Sequence, residues 1–487
     1  MSIPDDLALL DATAQAEMVR RRDCSPREMV DAAIERIERL NPRLNAVIHT
    51  LYDKARAAAD APDLPDGPFR GVPILVKDLL CHTGGDPYHA GMRMVRDAGW
   101  TSPTDSYMAA KLRAAGFLIV GKTNTPEIGS TVTTEPLAYG ATHNPWNLAH
   151  SVGGSSGGSG AAVAAGMTAV AEANDGGGSI RIPASECGLV GLKPTRGRIS
   201  LGPMIGDLWH GCVVEGTVTR TVRDTAALLD VTQGGMPGDP YTAPPPRRPY
   251  VQEVGAAPGR LRIGLHTRAP GNIVPVHPDC VQAAEHVARQ LEALGHVVEP
   301  ARPAAFDEDG ILDQFRVLVS SWIAHDVAAW SEVTGRPADE HGVESSNLIM
   351  AQLGNSHSAP AYIRALGALH ANARRMAAWW EEGWDLLLTP TLAEPPPPLG
   401  DFADTAGDPT RSLTRPIAFA AFTSPFNMTG QPAISLPLAW SSTGLPVGIQ
   451  LAAAAGREDL LVRIAAQLEA AHPWDRHRPP VHACAHG

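Results

Sequence analysis

The chain has 487 residues, of which 44% are hydrophobic and 19% charged, the balance of a globular protein and not of a disordered or fibrous one. Its formal net charge of −12 argues against a nucleic-acid binder, which needs a basic face. Six scattered cysteines with no C-x-x-C pair exclude a disulfide framework and a cysteine zinc site, and none of the 18 histidines sits by an Asp in a hydrolase motif, so no metal or other cofactor is expected.

The first residues, MSIPDDLALL, are acidic before they are apolar and lack the apolar core of a signal peptide. No run has the length of a membrane span, since the small apolar stretch 161–173 is broken by Gly166. A cytoplasmic protein without membrane contact is expected. Residues 5–22 read as a first helix. Ser25, Pro26 and Glu28 then supply the N-cap, the N1 proline and the N3 acid of a capping box, followed by an apolar stripe of Met29, Ala33, Ile34, Ile37 and Leu40. The pair Asn41-Pro42 is expected to end this helix, and another is expected over 46–60.

A short apolar strand from Gly71 closes on Lys77 and Asp78. Taken alone, such an exit lysine reads as a surface group that keeps its ammonium in water. After a helix over 107–115, Gly116 to Thr123 matches the phosphate-loop pattern G-x-x-x-x-G-K-T. The match is rejected because Phe117, Leu118, Ile119 and Val120 form a buried strand, and Asn124, Thr125 and Pro126 make a turn where a phosphate site needs a helix N-terminus.

Two Gly-Ser clusters follow, at 153–160 and 176–179, with Ala, Val and Met between them that suggest a buried helix of short side chains. Gly176, Gly177, Gly178 and Ser179 set four N–H groups in sequence beside a hydroxyl, a layout that can stabilise an oxyanion. A flexible linker is the bland alternative, but Ile180, Ile182 and Pro183 follow at once, and a linker does not run straight into core residues. Farther on, a helix opens at Arg220–Asp224, and a strand at 262–265, a helix over 279–294 and a strand from 296 make a β-α-β unit. Residues 303–385 are helical and rich in tryptophan, 385–390 is a buried strand, and a last helix is expected over 457–471. With no internal repeat and no linker, 1–487 is expected to be one domain, an α/β/α sandwich of the α/β class with a large mixed central sheet flanked by helices.

The two Gly-Ser clusters, their separation, and the tail Cys187-Gly188 to Gly191-Leu192-Lys193-Pro194-Thr195 resemble the signature of the amidase signature family, hydrolases with a Ser-Ser-Lys triad. The resemblance spans the whole chain, with its signature core over about 70–230 and a variable substrate region over about 303–420, and it implies C-terminal strands at 425–432 and 444–450. It implies that Ser179 is the nucleophile, Ser155 a bridging serine with a cis peptide bond, and Lys77 the base. A lysine serves as base only when neutral, which burial without a carboxylate partner can bring about.

By the same resemblance the N–H groups of Gly176 to Ser179 form the oxyanion hole, and Asp175 and Arg181 hold the loop. The backbone of Gly129, Ser130 and Thr131 lies beside the substrate, and Trp209, Trp322 and Ser321 are pocket candidates. Asn174 replaces the residue usual before Asp175; with Thr133–Pro136, Asn144–Asn147 and Gly456–Leu460 it marks a subgroup acting on amide oligomers. Serines stand at 320 and 321 where that subgroup carries a substrate-contacting cysteine. The expected activity is hydrolysis of a non-peptide amide in a small molecule (a cyclic or linear amide oligomer, an anilide or a carbamate), with esterase side activity and a homodimer by analogy. The alternatives are an amidotransferase A-type subunit that releases ammonia from glutamine, and a non-catalytic binding protein on the same scaffold.

Overall fold

A computed structural model describes residues 7–485. Among them eleven strands form one sheet: β1 (Val47–Thr50), β2 (Pro73–Lys77), β3 (Leu118–Thr123), β4 (Val170–Asp175), β5 (Val190–Lys193), β6 (Val214–Thr219), β7 (Arg262–Leu265), β8 (Val297–Pro300), β9 (Leu386–Pro390), β10 (Ala433–Trp440) and β11 (Pro446–Ala452). Their spatial order is β1-β3-β2-β4-β6-β5-β10-β11-β9-β7-β8. Strands β3, β2 and β4 are parallel, as are β9, β7 and β8, while the strands between these groups pair antiparallel. This is the expected α/β class with a mixed central sheet.

Both faces of the sheet are covered, which is why β2 and β3 read as unbroken apolar runs. Ile74, Val76 and Ile119 pack with Met108, Leu112, Val222 and Leu228 from the helices Tyr107–Ala114 and Val222–Thr232. Leu75, Leu118 and Val120 point the other way, onto Ile34, Ile37 and Ala161–Ala164 of the helices Pro26–Leu44 and Gly157–Ala164. The helix Gly157–Ala164 can approach closely only because it is made of small residues. A Cβ at Gly158 would lie 2.4 Å from the backbone nitrogen of Asn124.

Several sequence-based expectations need correction. The first helix covers Ala12–Arg21, capped by Asp11; positions 5 and 6 lie outside the described residues. The capping box at Ser25 is present, but its helix runs through Pro42 to Leu44. Proline in the last turn removes only one N–H, and Asn45 ends the helix in the left-handed region at φ 49°. The segment expected as a helix over 46–60 divides into β1, paired with β3, and the helix Tyr52–Asp60. Likewise only the first part of the segment between the Gly-Ser clusters is helical, and the rest is β4. Residues 424–429 form a helix, not a strand, with β10 beginning at Ala433. For β1 and β4 ladder bonds to a distant strand, and for 424–429 a proline in the first turn, overrode the local pattern.

Candidate active site

The carboxyl ends of the parallel strands β2 and β4 lie side by side, where open α/β sheets commonly receive ligands. Lys77 ends β2 and is wholly buried. Its Nζ donates to Ser155 Oγ at 2.6 Å and to Asn174 Oδ1 at 2.6 Å. The amide of Asn174 is oriented by its other end, since Nδ2 donates to the carbonyl of Leu79 at 2.9 Å. Burial pushes Lys77 down to about 7, while Glu172 and Asp175 pull weakly the other way. Asn174 therefore receives the lysine with a neutral oxygen, and a substantial share of the amine is unprotonated near neutral pH. Glu172, buried beneath on β4, accepts the N–H of Lys77 at 2.9 Å, and burial raises its carboxyl above the usual range.

The peptide bond Gly154–Ser155 is cis. A Cβ at Gly154 would sit 2.7 Å from the nitrogen of Thr133, so only glycine fits there. Ser155 and Ser179 line one cavity. The N–H groups of Gly176, Gly177, Gly178 and Ser179 donate to no atom of the described residues, and Gly176, Gly177 and Ser179 border the cavities at the nucleophile. Gly178 has φ 140° and lies against Thr423, whose Oγ1 donates to the carbonyl of Gly177 at 2.6 Å.

Asp175 and Arg181 tie this loop down. Arg181 Nε and one terminal nitrogen each donate to the carboxylate at 3.0 Å, and both side chains are fully buried. Arg181 also donates to Thr423 O, Gln450 Oε1 and Asn427 Oδ1. Asp175 accepts the N–H of Ile180 at 3.2 Å, which bends the chain back just past Ser179. Burial pushes Asp175 up, but the Arg181 charge and hydrogen bonds outweigh it and hold it at about 2.

Two cavities meet at Ser179. The smaller, about 270 Å³, is lined by Ser155, Asn174 and Gly176 and by apolar residues of 79–100, 204–213 and 329–333. The larger, about 500 Å³, is lined by Gly177 and by Phe315, Val319, Met350, Leu413 and Ile417. Gly129, Ser130 and Thr131 all border the larger one, and Trp209 stands between the two. Trp209 and His210 both take positive φ, at 49° and 55°, which turns that loop back toward the nucleophile. Ser321 and Trp322 border neither cavity. The Ser321 hydroxyl donates to Val317 O at 2.7 Å, and Trp322 Nε1 donates to Tyr362 Oη at 3.1 Å. By helical period Ser321 lies on the side of Ile311–Thr334 turned away from Phe315 and Val319, whereas Trp322, seven residues after Phe315, shares their side and is tied to Tyr362.

Asp78, next to Lys77, is engaged elsewhere: it pairs with Lys122 at 3.0 Å and accepts the N–H of His89 at 2.9 Å. His49, Asp78 and His89 bring three possible metal ligands within 4.8 Å of one another, but the Lys122 ammonium already neutralises the carboxylate. This set fits a hydrogen-bond network better than a metal centre. Glu172, Asn427 and Gln450 were not found from the sequence, for they come from three strands or helices far apart in the chain and belong to no short motif.

A family model of amidases matches residues 28–462. The chain is 46% identical over 476 residues to the 6-aminohexanoate-cyclic-dimer hydrolase of Paenarthrobacter ureafaciens, covering 96% of each chain. A solved structure of 6-aminohexanoate cyclic dimer hydrolase superposes with a TM-score of 0.93 at 45% identity, covering 97% of this chain and 99% of that one. A bacterial aryl acylamidase of the amidase signature family superposes with a TM-score of 0.86 at 28% identity, covering 96% and 97%.

Proposed function

The chain belongs to the amidase family, a hydrolase of non-peptide carbon–nitrogen bonds, and we propose that it works through an acyl-enzyme on Ser179 with Ser155 and Lys77 as its proton relay. The observation that carries this reading is the 2.6 Å contact between a buried Lys77, held near 7, and Ser155.

An amide is a poor electrophile, and its nitrogen leaves only when protonated. Neutral Lys77 takes the Ser155 proton as Ser155 takes that of Ser179, and Ser179 Oγ bonds to the substrate carbonyl carbon. The carbonyl π pair moves onto oxygen, where the N–H groups of Gly176 to Ser179 receive it. When the intermediate collapses, the proton returns through Ser155 to the amide nitrogen, the C–N bond breaks and the amine departs. Water then attacks the ester by the same route and restores Ser179. Preferring the neutral amine by roughly 5 kcal/mol over a lysine in water is the work of burial in this scheme.

The substrate is a small amide with an apolar acyl arm, of the size of a cyclic or linear amide oligomer, since the larger cavity is lined mostly by apolar side chains. Anilides, carbamates and esters present a similar carbonyl. The amidotransferase reading is not favoured, because the relatives described above are hydrolases in their own names. The protein acts as one domain over 1–487, in the cytoplasm and as a homodimer. No helix among the described residues is long and apolar enough to cross a membrane.

The test is intact-mass analysis after incubation with a fluorophosphonate. One adduct on the wild-type protein and none on Ser179→Ala is expected. An adduct that persists on Ser179→Ala would assign the nucleophile elsewhere.

A further inference from the structure

Away from the nucleophile, the smaller cavity ends in an aromatic wall. Tyr88, Trp100 and Trp330 have ring centroids 5.1 to 5.8 Å apart, and each borders the cavity. One carboxylate enters this wall, that of Asp326 on the helix Ile311–Thr334. No hydrogen bond or ion pair from the described residues reaches it, and burial alone pushes it up to about 7. The other titratable groups on the lining are His82 and Tyr88. His82 is stacked on Tyr88, bonded through Nδ1 to Ser102, and kept neutral by burial. The Tyr88 hydroxyl accepts the N–H of Leu80. Lys122 approaches the Tyr88 ring at 4.9 Å, but its charge is matched by Asp78.

An unpartnered acid facing an apolar cavity is costly unless a ligand satisfies it. Aromatic faces around a carboxylate attract a cation, and they do so most strongly where water is excluded. The relay indicates which arm of the substrate arrives there. Ser155 borders this cavity and not the larger one, so an amine that takes its proton from Ser155 extends toward Asp326.

We infer that the enzyme favours amides whose leaving amine carries a second, cationic amino group, seated on Asp326 within the wall of Tyr88, Trp100 and Trp330. This rests on the proposed function, in which Ser155 delivers the proton to the leaving nitrogen. A leaving amine that ends in a carboxylate is disfavoured at the same place, by like charge.

The experiment compares kcat/KM for three amides with one acyl group: N-hexanoyl putrescine, N-hexanoyl butylamine and N-hexanoyl γ-aminobutyrate. The cationic compound is expected to exceed the neutral one at least roughly tenfold, as for a hydrogen bond to a charged group, with the carboxylate compound last. In Asp326→Asn the ratio of cationic to neutral falls toward one. A wild-type ratio at or below one, or a ratio that Asp326→Asn leaves in place, overturns the inference. The wild-type series decides by itself if the variant does not fold. Hydrolysis of none of the three, together with an unlabelled Ser179, removes the proposed function as well, whereas hydrolysis without discrimination removes only this inference.

Discussion

Lys77 and Asn174 sit at the ends of neighbouring parallel strands, with the lysine Nζ 2.6 Å from the asparagine Oδ1. The contact gives the amine a partner without giving it a counter-charge. Replacing Asn174 by aspartate keeps the shape and adds the charge. A carboxylate at hydrogen-bond distance raises a lysine by roughly one to three pH units. The rising limb of kcat/KM against pH is expected to move up by that amount in Asn174→Asp, with activity at neutral pH falling about tenfold or more. A pH–rate profile of the purified variant checks it.

In the wild-type protein that limb reports Lys77 itself. Activity is expected to rise as pH passes through about 7, because the base works only after losing its proton. Lys77→Arg stays charged at every accessible pH and should lose activity by roughly a thousandfold or more without regaining it in alkali. A limb well below 6 would assign the base to another group.

The Asp175–Arg181 pair predicts a large stability effect. Removing the arginine leaves a buried carboxylate unpaired, which typically costs about 3–5 kcal/mol. Arg181→Met is expected to lower the urea midpoint accordingly and to abolish activity. The pH dependence follows from the sign of the shift. Asp175 is held at about 2, below its ordinary 3.8, so its contribution is complete above about 4 and is lost as pH falls toward 2. Urea unfolding between pH 5 and about 2 should show that loss in the wild-type protein and a smaller one in Asp175→Asn.

The glycines before the nucleophile are not equivalent. A Cβ at Gly178 would lie 2.4 Å from Thr423 Oγ1, on backbone at φ 140°, whereas one at Gly177 meets nothing within 4 Å. Gly178→Ala is expected to lower stability by about 1–3 kcal/mol and to displace the oxyanion donors. Gly177→Ala should retain wild-type stability. Thermal unfolding of the two variants side by side decides it.

Much of the site can be read along the chain because its key residues are local. Ser155 and Ser179 are embedded in glycine clusters whose spacing is distinctive, and Lys77 ends an unbroken apolar strand. The helix ends are less legible, since Pro42 sits in the last turn of a helix that the pair Asn41-Pro42 would locally stop. The strands β1 and β4 were harder still, for each gains its stability from partners far along the chain.

From the sequence alone came the family resemblance, the three residues assigned to the relay and the oxyanion loop, all carried by short segments whose backbone chemistry is self-contained. Only the tertiary structure decided what surrounds them. It buried Lys77 against an uncharged oxygen, left Ser321 and Trp322 outside the lining of both cavities, and brought Asp326 to an aromatic wall built from residues more than two hundred positions apart. Burial, electrostatic environment and cavity shape are sums over many distant neighbours, so no local pattern could have encoded them.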